Sequence, residues 1–185
     1  MYHSICFSVP FGALGIIHDR GDPTMVVLSK KNNPEYLSMI QDLLYSDAVQ
    51  RLDRCTHHYG VSRMRHSINV SYYSYVICKK FHFDYRAVAR AGLLHDLFHY
   101  ECKVKRFGPL RHAAIHPQLA LRNAQRLTTL SELEKDIIVS HMWLCGKALP
   151  HYKESYIVSL VDKYSAVYEF LYGVCQKIRT LYSAK

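Results

Sequence analysis

The sequence predicts an all-α fold: one helical domain over residues 35–185 behind a short irregular or hairpin N-terminal arm over residues 1–34. Three observations carry this. From Pro34 onward the apolar residues recur at helical spacing, and turn signals fall only at a few short junctions. Before Pro34 the chain is instead rich in Gly, Pro and β-branched residues, with a turn signal at Asp19-Arg20-Gly21-Asp22-Pro23 between two apolar runs.

The helices follow in order. Segments over about Pro34–Tyr45 and Asp47–Tyr59 come first, with Ser46 or Asp47 as N-cap of the second and Gly60 as its end. A third helix, about Ser62–Phe81, puts His66, Val70, Tyr73 and Ile77 on one stripe, which should face the core. A fourth starts after Asp84 and carries Ala87, Ala91, Leu94, His95 and Phe98 on one side, where small alanines permit close packing. A basic loop with Lys103, Lys105, Arg106, Gly108 and Pro109 follows, and a fifth helix is expected from about His116-Pro117, proline suiting the first turn. Ser131 and Glu134 have capping-box spacing, so a sixth helix should run to about Leu144. Gly146 and Pro150 end that region. A last long helix, about Lys153–Tyr182, aligns Val158, Val161, Asp162, Ser165 and Ala166.

Composition bounds the class. A chain of 185 residues with 49% hydrophobic and 21% charged residues can bury one sizeable core. The six cysteines are scattered and form no close pair of the zinc-knuckle or thioredoxin kind, so they read as reduced thiols. The apolar stretch Ile5–Ile17 is interrupted by Pro10, Gly12 and Gly15, and nothing later is long and apolar enough to span a bilayer. A cytoplasmic protein without membrane contact is the expectation. Lys and Arg total 24 against 15 Asp and Glu, a net charge of +9 and a pI near 9.3. Such a field favours anionic partners. A small phosphorylated substrate, nucleic acid and a merely solvated basic surface all account for it, but no long basic run or RNA-binding signature favours nucleic acid. An oligomer is compatible with the sequence.

Several predicted helices carry a histidine or carboxylate inside an apolar stripe: His66, the adjacent pair His95-Asp96, His116, His141 and Asp162. Burying such groups without partners costs several kcal/mol in total, on the order of the unpaired-polar penalty for each. A shared metal ion is one common partner, and imidazole with carboxylate suits Mn, Fe, Zn, Ni or Co, whereas Mg alone takes fewer nitrogens. A lone buried His is more often a hydrogen-bonded core residue, so the grouping is what matters. The second His-Asp pair, His18-Asp19, lies in a turn signal, and His57-His58 lies beside Gly60; both lack such company.

The order His66 in RMRHSINVSYYSY, His95-Asp96 in ARAGLLHDLFH, His116 in HPQLALRNA, His141 in IIVSHMW and Asp162 in IVSLVDKYSA resembles the HD-domain superfamily of metal-dependent phosphohydrolases, over roughly two-thirds of the chain, Asp47 to Glu169. The resemblance implies an HD-domain helical bundle and a binuclear centre, with His66, His95, Asp96 and Asp162 at one ion, His116 and His141 at the second, and Asp96 bridging. Two ions, Fe or Mn first and Ni, Co, Zn or Mg next, are the implied cofactors. Relatives commonly have Gly two residues after the Asp, where this chain has Phe98, and carry a His or Lys near the substrate, where it has His99.

The implied activity is hydrolysis of a phosphate ester or anhydride, of a nucleotide-like substrate, by a water held on the metals. Asp96, His99 and Lys163 are the expected catalytic residues; Arg111, His112 and Lys105 are expected to meet the anionic substrate. Diadenosine-tetraphosphate hydrolysis is one precedent; cyclic-dinucleotide phosphodiesterases rank lower because their extra His pair and Gly-Tyr-Pro motif are missing. Two alternatives stay open: a mixed-valent di-iron oxygenase of the same fold, and a non-catalytic nucleotide-binding module. Tyr72, Tyr73, Tyr75 and Trp143 are candidates to stack on a base, with a core role as the commoner use of such residues.

Overall fold

In a computed structural model of the chain, residues 33–55, 61–99 and 109–183 are described. Both look-alike pairs, His18-Asp19 and His57-His58, the N-terminal arm up to Asn32 and Lys105 lie outside those residues. The elements are α1 (Pro34–Leu44), a short α2 (Asp47–Gln50) continuing into a 3-10 turn (Arg51–Arg54), α3 (Arg63–Lys80), α4 (Tyr85–Leu94), α5 (Pro109–Leu127), α6 (Glu132–Ser140) and α7 (Lys153–Ser183). The architecture is an all-α bundle, with no strand among the described residues.

Local chemistry starts most of these helices where the sequence placed them. The side chains of Ser46, Ser62, Asp84 and Ser131 each accept from a backbone N–H in the first turn that follows, and Ser131 with Glu134 completes a capping box. At the far end of α3, His82 adopts a left-handed conformation with φ 56°, which lets His82 and Phe83 donate back to the carbonyls of Lys79 and Cys78.

Three boundaries differ from expectation. The second segment ends about five residues early, in the 3-10 turn. The fifth helix starts at Pro109, not at His116-Pro117: Pro109 takes the first turn, and Pro117 sits inside the helix. His116 therefore lies two turns inside α5. The sixth helix stops at Ser140, and a tight turn over 141–145 follows, in which Leu144 has φ 79° and Gly146 donates to the Met142 carbonyl at 2.6 Å.

α3 and α4 form the most extensive helix pair, with α7 against α3, α6 against α4 and α7, α1 against α4, and α5 against α6. α3 is buried over most of its circumference as far as Cys78, so the expected single stripe is too narrow; Tyr73 and Ile77 are in fact only half-buried. The close approach of α3 and α4 has a specific cause. A Cβ at Gly92 would stand 2.8 Å from the Ser71 Cα, so only glycine allows this spacing. Ser71 is itself buried and satisfied: Tyr36 Oη donates to it at 2.7 Å, and it donates to the Ala89 carbonyl at 2.5 Å.

Tyr36, Tyr72 and Tyr75 pack with ring centroids 5.0 to 6.0 Å apart, which makes Tyr72 and Tyr75 core residues. Trp143 packs edge-on against Tyr156. Arg90 on α4 ties several elements together, donating to Asp42 and the Met39 carbonyl of α1, to Glu134 of α6 and to Thr128. Asp136 of α6 receives the His151 N–H at 3.0 Å, His151 Nδ1 at 2.6 Å and the Ser155 hydroxyl at 2.6 Å, fixing the start of α7.

Two substitutions test this framework. Gly92→Ala should destabilise the protein by roughly 1–3 kcal/mol through overpacking against backbone, read as a lower midpoint in chemical denaturation; an unchanged midpoint would mean that the helices separate without cost. Burial pushes the Asp136 carboxyl up, but hydrogen bonds from Ser155 and His151 outweigh it and hold it below the usual range. Its contribution is thus present above the unfolded carboxyl pKa and fades as pH falls through the depressed value. Asp136→Ala should lose about 1 kcal/mol at neutral pH after screening, with the gap to the parent protein narrowing as pH falls below the ordinary carboxyl range; a gap that stays constant with pH would contradict this.

Candidate metal centre

The six expected ligands converge. His66 comes from the first third of α3, His95 and Asp96 from the turn that ends α4, His116 from α5, His141 from the turn that ends α6, and Asp162 from α7. All are buried, between 0 and 8% exposed. Their ligand atoms fall into three overlapping groups, His66–His95–Asp96, His95–His141–Asp162 and Asp96–His116–His141, each spanning no more than 4.8 Å. Asp96 belongs to the group with His66 and His95 and to the group with His116 and His141. Its Oδ1 lies 3.4 Å from His116 Nε2 and 3.6 Å from His141 Nε2. Asp162 Oδ1 lies 3.0 Å from His66 Nε2 and 3.6 Å from His95 Nε2.

Helix ends set the imidazole orientations. His95 Nδ1 lies 2.7 Å from the Gly92 carbonyl and His141 Nδ1 lies 2.7 Å from the Ile138 carbonyl, three residues back in both cases. A carbonyl only accepts, so each Nδ1 carries a hydrogen, and in the neutral ring Nε2 keeps its lone pair for the centre. That tautomer is the one a metal ligand needs. His95 Nε2 is buried without a hydrogen-bond partner, an orphaned donor atom that a cation at the centre would satisfy. His141 Nε2 stands 2.8 Å from His116 Nε2. Burial, with His116 and His95 alongside, holds His141 down to about 3, so it stays a neutral ligand.

His66 is held differently. Its Nδ1 lies 3.1 and 3.2 Å from the two carboxylate oxygens of Glu169, which is 1% exposed and two turns beyond Asp162 on α7. Burial alone would lower His66, but the Glu169 and Asp162 carboxylates outweigh it and raise it to about 10. Asp162 is correspondingly held well below the usual carboxylate range: burial opposes, His66 and His95 prevail. Carboxylate–histidine pairs of this kind orient a ligating imidazole and raise its basicity. Glu169, the partner of His66, is the member of the buried cluster that sequence reading missed. The available signal was its position seven residues after Asp162, on the same helical face.

The other candidate residues are spread more widely. His99 is exposed just past the centre, at the end of the turn that carries His95-Asp96. Partial burial lowers its basicity, and Arg51 and Arg63 add to that. Arg63, at the start of α3, is buried; it donates to the Phe98 carbonyl at 2.6 Å and its guanidinium lies 3.8 Å from the Phe98 ring centre. Phe98 also packs on the His116 ring, 5.3 Å between centres, so it is a wedge between Arg63 and a ligand. Lys163 Nζ donates to the His141 carbonyl at 2.8 Å and to Ser159 Oγ at 3.0 Å, with the Ser159 carbonyl at 3.3 Å. The Ser159 hydroxyl donates to the same His141 carbonyl at 2.7 Å. Arg111 and His112 lie in the first turn of α5, with side chains outside the described set, as Lys105 is altogether.

Four imidazole nitrogens and two carboxylates are a donor set that fits divalent transition metals. The arrangement also makes Glu169 testable without metal. A His raised from its unfolded value to about 10 contributes stability that is complete below the unfolded pKa of 6.5 and is lost as pH rises through 10. Glu169→Gln in the presence of chelator should therefore lose roughly 3 kcal/mol at pH 6, as expected for breaking a buried ion pair, and clearly less by pH 10. Equal losses at both pH values would show that the His66–Glu169 pair carries no charge.

No protein-family model matches this chain, and neither the curated proteins nor the solved structures provide a match.

Proposed function

We propose that this protein is a metal-dependent phosphohydrolase of the HD-domain type, acting on a phosphate ester or anhydride of a nucleotide-like substrate. The observation that carries the reading is the convergence of four buried imidazoles and two buried carboxylates in three overlapping groups, the ligand atoms of each lying within 4.8 Å of one another. The residue order along the chain supports the HD assignment independently of the geometry.

His66, His95, Asp96 and Asp162 would hold one ion, and Asp96, His116 and His141 the other, with Fe or Mn as first candidates. Bound ions supply activation of a water at neutral pH and neutralisation of a phosphoryl group. The chain's own residues do the rest. Gly92 and Ile138 carbonyls fix the tautomers of His95 and His141, and Glu169 fixes His66. Phe98 and the apolar surroundings keep bulk water away from His116. His99, exposed and less basic than an ordinary histidine, is proposed to pass a proton to a leaving oxygen. Lys163 holds the His141 carbonyl, and the basic residues Lys105, Arg111 and His112 are proposed to meet the substrate's charge.

Elemental analysis of freshly purified protein, followed by a nucleotide and phosphodiester panel with several metals, tests the proposal. We expect two ions per chain and metal-dependent phosphate release. Asp96→Ala should lose metal and activity together, and His99→Ala should keep metal while kcat falls on the order of 10²-fold. Two irons with substrate-dependent O₂ consumption and no phosphate release would replace hydrolysis with oxygenase chemistry. Nucleotide binding without turnover would make the domain a regulator.

A further inference from the structure

We propose that Arg63 is a positioning residue for one half of the centre: acting through Phe98, it sets the orientation of His116 and with it the affinity for the second ion alone. The inference rests on the two-ion reading of the centre.

Arg63 is the first residue of α3, and its backbone N–H donates to the Cys55 carbonyl at 2.8 Å. Its guanidinium is always charged, yet the residue is 1% exposed, the largest of the fully buried side chains among the described residues. A charge taken out of water has to be matched by specific contacts. Two of the contacts that hold it run to one residue. Nη1 donates to the Phe98 carbonyl at 2.6 Å, and the guanidinium carbon lies 3.8 Å from the centre of the Phe98 ring. The first contact fixes the Phe98 backbone and the second, a cation–π contact, fixes its ring. Phe98 also closes the turn that carries His95-Asp96, since its N–H donates to the Asp96 carbonyl at 2.8 Å.

The Phe98 ring carries the effect onward. Phe98 is 2% exposed and packs on the His116 ring, with centres 5.3 Å apart and planes tilted by 51°. An imidazole packed against a ring that is itself held keeps its own plane. That plane decides where His116 Nε2 points, and it stands 2.8 Å from His141 Nε2 and 3.4 Å from Asp96 Oδ1. Of the three ligand groups, only Asp96–His116–His141 contains His116. Disturbing the chain from Arg63 through Phe98 to His116 should therefore weaken one ion and spare the other, whereas a residue needed merely for folding would weaken both. Arg63 lies three residues before His66. α3 thus gives a ligand to the first ion and, through Phe98, support to a ligand of the second.

Titration of chelator-stripped protein with Mn²⁺, read by calorimetry, tests this. The wild type should bind two ions, and His116→Ala should lose one of the two steps, which identifies it. Arg63→Met should weaken that same step on the order of 10–100-fold, as loss of support behind a ligand does, and leave the other step unchanged. Arg63→Lys, which keeps a charge over the ring, should fall between the methionine variant and the wild type. Phe98→Leu removes the ring without touching the charge and should reproduce Arg63→Met; it decides the matter if the methionine variant does not fold. Equal weakening of both steps, or of neither, overturns the inference and leaves the two-ion reading standing. A wild type that binds fewer than two ions overturns both.

Discussion

Four imidazoles and three carboxyl groups meet in the interior of a bundle whose other buried residues are mostly apolar, and the rest of the structure follows from the need to satisfy them. Each group is tied on the side away from the centre, or shared within it. Two histidines donate backward to carbonyls of their own helix ends, one donates to Glu169, and the two aspartates stand between pairs of imidazoles. What remains is a set of inward-facing donor atoms that could hold a cation. Loss of any outer tie would free a ring to turn, so residues that never touch the centre, such as Gly92 and Ile138 through their carbonyls, help define it.

The helices are placed to serve this arrangement. Gly92 brings α4 within backbone contact of α3, which sets His66 beside His95, with ring centres 5.5 Å apart. The early end of α6 has a similar consequence. Had that helix continued to Leu144, His141 would be a mid-helix residue with its carbonyl committed to the next turn; in the observed turn that carbonyl accepts from both Ser159 and Lys163 of α7. α7 thus contributes a ligand, a partner for a second ligand and a clamp on a third from one face.

Legibility in the sequence followed the range of the interactions. N-caps at Ser46, Asp84 and Ser131 were readable because a cap bonds to residues two or three positions away. The all-α class was readable from periodicity. The start of α5 was misplaced because both Pro109 and Pro117 suit a first turn, and only packing against α6 decides between them. Glu169 was passed over because a lone glutamate on a long helix looks like a solvated residue until its partner, His66, is brought to it from 103 positions away.

The sequence by itself determined which residue types were available and on which helices, down to the grouping of His66, His95, Asp96, His116, His141 and Asp162 as candidates. Tertiary structure alone decided that their Nε2 and Oδ1 atoms share one volume, which tautomers two of the histidines hold, and that Arg63 and Phe98 brace the turn bearing His95-Asp96. The division has a physical reason. Helix formation and capping depend on neighbours within four residues, whereas burial, charge pairing and ligand convergence depend on contacts between segments far apart in the chain, which no local pattern encodes.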